Sequence, residues 1–256
     1  FEFLYVVVVF ILGGGVAALI GIAFGLPSLR IKGFYLAVTT LAAHFFIEWL
    51  TTSWGWLSNY ASSGVIVSPP LEMFGWSIDT PVEKHFFTLG ILVAFTIIAR
   101  NLVRGRLGRS WMAIRDMDVA AEVIGIPMLK TKLLAFAISS FYCGMAGALW
   151  AFVNLGAVEP QAFDINLAFT ILFMVIIGGL GSIFGSFAGA AFLVLLPVLL
   201  KVVGVDVLGW PTDIVAHFQL VIVGALIMFF LIVEPHGLAQ LWRVAKEKLR
   251  LWPFPH

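Results

Sequence analysis

Long apolar runs alternate with short polar segments along almost the whole chain. A helix needs about 20 mostly apolar residues to cross the hydrocarbon core of a bilayer. The pattern predicts seven spans, which we place at 3–24, 34–51, 86–103, 133–153, 167–178, 184–200 and 216–233. The fifth run is short and ends in glycines. We therefore expect an all-α, polytopic bundle of about seven or eight spans that forms one transmembrane domain over residues 1–256.

Composition agrees with a membrane protein. Only 11% of the 256 residues are charged and 61% are hydrophobic, whereas soluble domains carry roughly 25% charged residues. The first apolar run is too long for a signal-peptide core and has no positive segment before it. The chain begins with Phe1 rather than Met. We expect the native N-terminus to lie upstream of this residue.

The basic residues are distributed unevenly between the predicted spans. Thirteen of the 15 fall after the first span, around the end of the third, or in the tail: Arg30, Lys32, Arg100, Arg104, Arg106, Arg109, Arg115, Lys130, Lys132, Arg243, Lys246, Lys248 and Arg250. Alternation of seven spans puts these segments on one side, and the positive-inside rule makes that side cytoplasmic. We therefore expect a cytoplasmic loop at about 104–132 and a cytoplasmic tail at about 234–256. A cytoplasmic native N-terminus would then require an odd number of further spans, most simply one.

The long segment 53–85 falls on the predicted outer side. It holds Trp54, Trp56 and Trp76 together with Gly, Ser and Asn residues that favour turns. So many aromatic residues favour a folded external loop over a disordered linker. An interfacial helix within the loop remains open.

Glycines recur at every fourth position in one apolar run, as Gly181-x-x-x-Gly185-x-x-x-Gly189. In a helix this spacing puts them on one face, where a neighbouring helix can approach closely. Close helix packing is the favoured interpretation. The alternative is that the preceding glycine-rich residues 178–181 break a helix beside a transport pathway. Gly21-x-x-x-Gly25 is a weaker instance of the packing pattern.

Few polar groups fall within the predicted spans. His44 and Glu48 share a helix face, and we favour an interhelical hydrogen bond for His44 over a proton relay. The sequence contains neither a chain of buried carboxylates nor an acidic cluster, so it gives no sign of transport driven by an ion gradient. The single cysteine, Cys143, allows no internal disulfide and is predicted to pack as a small hydrophobe. The candidates to line a translocation path are Tyr35, Thr39, Thr40, His44, Asn166, Gly178, Gly179 and Gly181.

The polar loop predicts a short helix of its own over 119–124. Asp118 is expected to cap its N-terminus, and Gly125 to end it in a left-handed conformation. Ala120 and Ala121 would leave a shallow surface that another protein could approach closely. The alternative is a solvated connector between two spans.

At these residues the chain resembles a known family. The pattern Ala120-Ala121-x-x-x-Gly125 resembles the loop by which permease subunits of ABC importers dock onto their ATPases, and residues 108–149 are similar to the branched-chain amino-acid permeases of the M type. Residues 29–42, 176–190 and 234–241 resemble further segments of that family. Val119 departs from the general pattern, since many importers have Glu at that position.

The resemblance implies an all-helical ABC importer permease that carries branched-chain or other hydrophobic amino acids across the bacterial inner membrane. It implies a second homologous permease, two ABC ATPases and a periplasmic substrate-binding protein as partners, besides membrane lipids. It implies no chemistry, cofactor, metal or nucleic acid for this chain, because the ATPases bind ATP and magnesium. The residues expected to couple the chain to them are Arg109, Arg115, Asp118, Ala120, Ala121, Glu122 and Gly125.

Two rival functions stay open. A permease of the same architecture could import urea, short amides or aromatic carboxylates. A stand-alone channel or secondary carrier would need no ATPase. A membrane enzyme lacks support, since the sequence shows no nucleophile–base set, paired carboxylates or metal-ligand spacing.

Overall fold

The structure is a computed structural model that describes residues 2–29, 34–56, 65–67, 72–73, 76–78, 80–207, 209–233 and 237–251. Contacts within the chain divide it into two compact units, Phe1–Ala162 and Phe163–His256. The charged segments Arg30–Lys32 and 234–236 lie outside the described residues.

Six α-helices lie within the described residues of the first unit. They are α1 (Glu2–Ser28), α2 (Phe34–Ser53), α3 (Pro81–Arg104), α4 (Arg106–Asp116), α5 (Asp118–Val123) and α6 (Met128–Trp150), and a π-helical turn (Ala151–Leu155) extends α6. The buried side chains of Val6, Phe10, Ile78 and Met145 form its core. Thr80 begins α3 with a capping box, since it accepts a hydrogen bond from the Glu83 backbone and donates its own backbone N–H to the Glu83 carboxylate.

Helix α1 packs along α6 through the predicted glycines. A Cβ added at Gly21 would overlap the Ser140 side chain, and one at Gly25 would lie 3.3 Å from the Phe136 ring. Gly14 extends the pattern, because a Cβ there would lie 2.8 Å from the Phe141 ring. The close-packing interpretation of Gly21 and Gly25 is therefore confirmed.

The described part of the first unit also contains four two-residue strands. Strand β1 (Ile66–Val67) pairs antiparallel with β4 (Ala157–Val158), and β2 (Glu72–Met73) pairs antiparallel with β3 (Trp76–Ser77). The described part of the segment after α2 therefore contains paired strands, as a folded loop predicts, and Ile66–Val67 ties it to the segment that follows α6. Between 65 and 78 the described residues form short strands and no interfacial helix, while residues 57–64, 68–71, 74–75 and 79 lie outside the description.

The second unit contains α7 (Ile165–Gly178), α8 (Ile183–Lys201), α9 (Thr212–Val233) and α10 (Gly237–Leu251), with a π-helical turn (Val202–Val207) after α8. Ile177, Leu193 and Phe230 form its core. Asp164 caps α7 by accepting from Leu167 N at 2.9 Å, and Ser182 caps α8 by accepting from Gly185 N at 3.0 Å.

Helices α7 and α8 touch through backbone. A Cβ added at Gly178 would overlap the carbonyl oxygen of Gly185, and one at Gly189 would overlap the carbonyl oxygen of Met174. Close packing at Gly185 and Gly189 is therefore confirmed. The prediction that Gly181 shares this helix face is wrong. Gly181 lies before α8 with φ +80°, so it is a turn residue. Gly178 on α7 is the third glycine of the contact.

Each of the seven predicted runs falls on a helix, namely α1, α2, α3, α6, α7, α8 or α9. Within the described residues, four helices are long and apolar enough to cross a membrane: Val6–Pro27, Pro81–Arg104, Met128–Leu155 and Ile183–Asp206. Two shorter apolar helices cover Ile165–Gly178 and His217–Phe230. The predicted class, a polytopic all-helical bundle, is confirmed.

Candidate functional site

The polar segment between α3 and α6 is a structured pair of helices. Helix α3 ends at Arg104 and α4 begins at Arg106, with only Gly105 between them. Gly108 is buried against the preceding turn, where a Cβ would overlap the carbonyl of Val103. Since any larger side chain would push the two helices apart, Gly108 allows α4 to fold tightly against the end of α3.

Trp111 fixes α4 to the start of α6. Its indole Nε1 donates a 3.0 Å hydrogen bond to the carbonyl oxygen of Thr131, which is buried. This single bond joins residues 20 positions apart. Trp111 was not among the residues predicted from the sequence, although a lone tryptophan in an otherwise polar amphipathic segment is a usable signal for such an anchor.

Helix α5 begins one residue earlier than predicted. Asp118 is its first residue and Met117, with extended backbone, is the N-cap. The prediction that Asp118 is the N-cap is therefore wrong. Its carboxylate still accepts the backbone N–H of Val119 at 2.8 Å, and a negative charge in the first turn is favourable beside the positive end of the helix dipole.

The end of α5 is a glycine stop of the predicted kind. Gly125 has φ +87° and donates its N–H to the Glu122 carbonyl at 3.0 Å, while Ile126 N donates to the Ala121 carbonyl at 3.0 Å. These two bonds form a Schellman motif. Pro127 precedes α6, so the two helices are separated by a short fixed turn.

Ala120 and Ala121 do not form one shared surface. Ala120 is exposed, but Ala121 is only 1% exposed and lies against the chain's own helices, since α5 contacts α4 and α6. The predicted partner-facing role of Ala121 is therefore wrong. Its small side chain instead allows α5 to lie close to the rest of the loop.

The outward side of α5 is apolar. We define the α5 apolar face as the exposed residues Met117, Val119, Ala120, Val123 and Ile124. Its four large members are 71%, 72%, 82% and 73% exposed in that order. Exposed apolar residues that cluster in this way mark interaction sites more often than bare surface.

The two loop helices also carry exposed charged residues. Arg109, Arg115, Asp116 and Glu122 are all exposed, and Arg115 Nε pairs with the Asp116 carboxylate at 3.0 Å. A polar rim around an apolar centre is the usual composition of a protein-docking surface.

A cavity of about 540 Å³ opens between α1, α2 and α6. Helix α2 contributes Thr39, Thr40 and His44, three of the predicted path residues, and α6 contributes Ser139 and Ser140. The rest of the wall is largely apolar and comes from all three helices: Ala17, Ile20, Gly21, Phe24, Gly25, Ala43, Ile47, Phe136 and Cys143.

Two predictions about this region need correction. His44 was expected to form an interhelical hydrogen bond, but its Nε2 is buried and has no partner within the described part of the chain. Cys143 was expected to be packed, but it is exposed and lines the cavity. The remaining α2 candidate, Tyr35, is 71% exposed and lies outside the wall of the cavity.

The other predicted path residues lie in the second unit. Asn166 donates its amide to the Asp164 carboxylate at 2.6 Å, near the start of α7. Gly178 belongs to the α7–α8 contact, and Gly179 and Gly181 form the turn between these helices with φ +105° and +80°. Within the described ranges, no three His, Cys, Asp or Glu side chains form a set that could hold a metal ion.

Comparison with known proteins agrees with the resemblance. Residues 2–231 match the family described as branched-chain amino acid transport system / permease component. The high-affinity branched-chain amino acid transport system permease protein LivM of Salmonella typhimurium is 26% identical in an alignment 255 residues long, which covers 91% of this chain and 57% of the relative. The chain thus spans little more than half the length of that relative.

Other relatives have different names. The autoinducer 2 import system permease protein LsrC of an Enterobacter species is 29% identical, over 59% of this chain and 45% of the relative. The fructose import permease protein FrcC of Rhizobium meliloti is 28% identical, over 53% of this chain and 39% of the relative. No solved structure matches the chain.

Proposed function

The chain belongs to the branched-chain amino acid transport system / permease component family, and from that premise we propose that it is a membrane subunit of an ATP-driven ABC importer. It forms the translocation path with a second permease in the cytoplasmic membrane. Two ATPases supply the energy, and an external binding protein delivers the cargo. The observation that carries the proposal is the α5 apolar face, an ordered docking surface on a polar loop between two spans.

The strand pairing supports the proposed orientation. Helices α3 and α6 are both long enough to span a membrane. Strand β1 precedes α3 and pairs with β4, which follows α6, whereas α4 and α5 connect the opposite ends of the same two helices. The pairing and the basic loop therefore lie on opposite sides of the bilayer. Since the loop is rich in Arg and Lys, the side on which it lies is the cytoplasmic side.

The orientation has a direct test. In a Cys143→Ala background, single cysteines at Ser110 and Gln240 should resist a membrane-impermeant maleimide in intact cells. They should react after the membrane is permeabilised. Labelling of either position from outside would contradict the proposed sidedness.

The α5 apolar face is the proposed contact with the ATPase. The Trp111 anchor holds α4 on the start of α6, and the Schellman stop fixes the turn from α5 into α6, so a movement of the ATPase can be transmitted into that span. Ala121 acts from within by permitting this close packing. Arg109, Arg115 and Glu122 lie at the rim, where charges affect association rate more than affinity.

The α1–α2–α6 cavity is the proposed part of the path in this unit. Hydroxyl groups and one imidazole in an otherwise apolar wall suit a small molecule with an apolar side chain and a few hydrogen-bonding groups. His44→Ala and Thr40→Val should slow uptake without changing ATPase association. Wild-type uptake by both variants would remove this cavity from the path.

Branched-chain or other hydrophobic amino acids are the proposed cargo. The name of the LivM relative supports this cargo, because the alignment with that relative covers most of this chain. A second candidate keeps the architecture and changes the cargo, because relatives of similar identity are named for autoinducer 2 and fructose import. Calorimetric titration of the cognate binding protein with leucine, isoleucine, valine, sugars and short amides separates the two.

Reconstitution tests the reaction class. Proteoliposomes that contain both permeases, with the ATPases inside and the binding protein outside, should take up cargo only when ATP is present inside the vesicle. Proteoliposomes that contain this chain alone should take up none. Uptake by the chain alone would favour a channel or secondary carrier.

A further inference from the structure

The C-terminal helix α10 presents an apolar stripe that begins in the protein core and continues beyond it. Leu238, Trp242, Ala245 and Leu249 follow the spacing of four, three and four residues that puts side chains on one helix face. Leu238 packs against the buried cluster of the second unit, and Trp242 lies 5.7 Å from the Phe184 ring. Leu249, at the far end of the same stripe, is 73% exposed.

The start of α10 is fixed at the end of two apolar helices. Gly237 has φ +67°, and a Cβ there would lie 2.6 Å from both Ile177 O and Gly179 N, at the turn between α7 and α8. Only three residues separate α9, which ends at Val233, from Gly237. Since α7, α8 and α9 carry predicted spans, α10 begins at the level where these helices leave the bilayer.

Basic side chains flank the stripe. Lys246 and Lys248 lie on opposite sides of it, Arg243 lies further round, and Glu247 is on the far side; all four are exposed. An amphipathic helix with lysines beside its apolar face binds in the interface of a membrane, where long basic side chains reach anionic headgroups. The cytoplasmic leaflet carries such lipids.

We propose that α10 lies in the plane of the cytoplasmic membrane surface. Its stripe faces the acyl chains, and Lys246 and Lys248 contact anionic lipid headgroups. The inference rests on the proposed cytoplasmic position of the tail. It makes the anionic lipid content of the membrane a determinant of how the tail is held.

Fluorescence quenching in vesicles tests the proposal on the full chain. In a Cys143→Ala background, a bimane label at Leu249→Cys reports the stripe, and the same label at Glu247→Cys is the matched control on the opposite face. In vesicles of phosphatidylcholine and phosphatidylglycerol, brominated acyl chains should quench the label at 249, and iodide should quench the label at 247. In phosphatidylcholine alone, the difference between the two positions should shrink.

Charge reversal supplies the second arm. Lys246→Glu and Lys248→Glu should each lower the ratio of docked to free tail by at least roughly fivefold in the anionic vesicles, since each lysine near such a surface contributes about that factor and the new carboxylate is repelled as well. Lys→Arg at both positions should retain wild-type quenching. Equal iodide access at 247 and 249 in anionic vesicles would overturn the proposal. Shielding of 249 only after ATPases are added would also overturn it and assign the stripe to a protein.

Sidedness is measured separately, by impermeant maleimide labelling at position 247 in intact cells. Labelling from outside combined with lipid quenching at 249 would remove the cytoplasmic orientation and leave the interfacial helix in place. The failure of the proposed topology and the failure of the lipid contact are thereby distinguishable.

Discussion

The two compact units use glycine to bring helices together in different ways. In the first unit, Gly21 and Gly25 of α1 meet the α6 side chains of Ser140 and Phe136, although a Cβ added at Gly144 of α6 would also lie 2.9 Å from the Gly13 carbonyl oxygen. In the second, α7 meets α8 through glycine against backbone, with Gly178 and Gly185 in mutual contact. A side chain can be shortened or turned aside, but a backbone carbonyl cannot. The same sequence pattern therefore predicts different tolerance to substitution in the two units.

Gly189→Ala should have the largest effect. The new methyl group would overlap the Met174 carbonyl oxygen and lie 2.9 Å from the Gly178 Cα. Because only a shift of the whole helix relieves this, we expect a loss of about 1–3 kcal/mol or more in stability. Thermal unfolding of the purified chain in detergent measures it. An unchanged midpoint would show that α7 and α8 do not meet through backbone.

Gly21→Ala should also destabilise the chain, but a second substitution should rescue it. The added methyl group overlaps the Ser140 side chain, with 2.6 Å to its Cβ. Ser140→Gly removes both atoms at a cost of roughly 0.5 kcal/mol in helix propensity. The double variant should therefore unfold at a higher temperature than Gly21→Ala alone. Without such recovery, the contact does not depend on the Ser140 side chain.

Gly25→Ala should have a smaller effect. Its methyl group would lie 3.3 Å from the Phe136 ring and 3.6 Å from a Leu133 methyl group, and both neighbours have side chains that can adjust. We expect a change below about 1 kcal/mol, because the gain in helix propensity offsets part of the crowding. A loss as large as that of Gly189→Ala would remove the distinction between the two units.

Gly224→Ala is the matched control within a helix of the second unit. Among the described residues, nothing besides the adjoining backbone of its own helix lies within 4 Å of a Cβ added there. Replacing a helical glycine by alanine without crowding should leave stability unchanged or raise it by up to about 1 kcal/mol. A destabilised Gly224→Ala variant would mean that the glycine losses above do not report packing.

The sequence was sufficient to predict where the helices lie, but it was insufficient to predict which of their surfaces are covered. Apolar runs predicted α1, α2, α3, α6, α7, α8 and α9, because period and length are local properties. Gly125 was also predictable, since a glycine followed by Pro127 has few other uses at a helix end. Which side of α5 would be covered was not predictable. Ala120 and Ala121 are equivalent in composition, and only the position of α6 decides that Ala121 is buried.

The cavity shows the same limit. Thr39, Thr40 and His44 could be selected as polar residues in an apolar run, but Ser139 and Ser140 join them only because α6 packs beside α1. Likewise, equal spacing suggested that Gly181, Gly185 and Gly189 act together. The turn before Ile183 separates the first from the other two, and Gly178 takes its place from another helix.

The central claim is that the α5 apolar face docks an ATPase. Val119 and Val123 are four residues apart on this face and 72% and 82% exposed, so replacing both by lysine leaves the fold of the chain intact. Docking would then bury two unpaired charges, each at a cost of several kcal/mol.

Co-purification of the ATPases with tagged permease measures this docking most directly. The Val119→Lys/Val123→Lys variant should keep the wild-type unfolding midpoint in detergent and lose at least about tenfold in retained ATPase, since 1.4 kcal/mol corresponds to that factor. Val119→Leu/Val123→Leu, the matched apolar control, should retain wild-type amounts. Wild-type retention by the lysine variant, at unchanged stability, would contradict the account and leave α5 as a solvated connector.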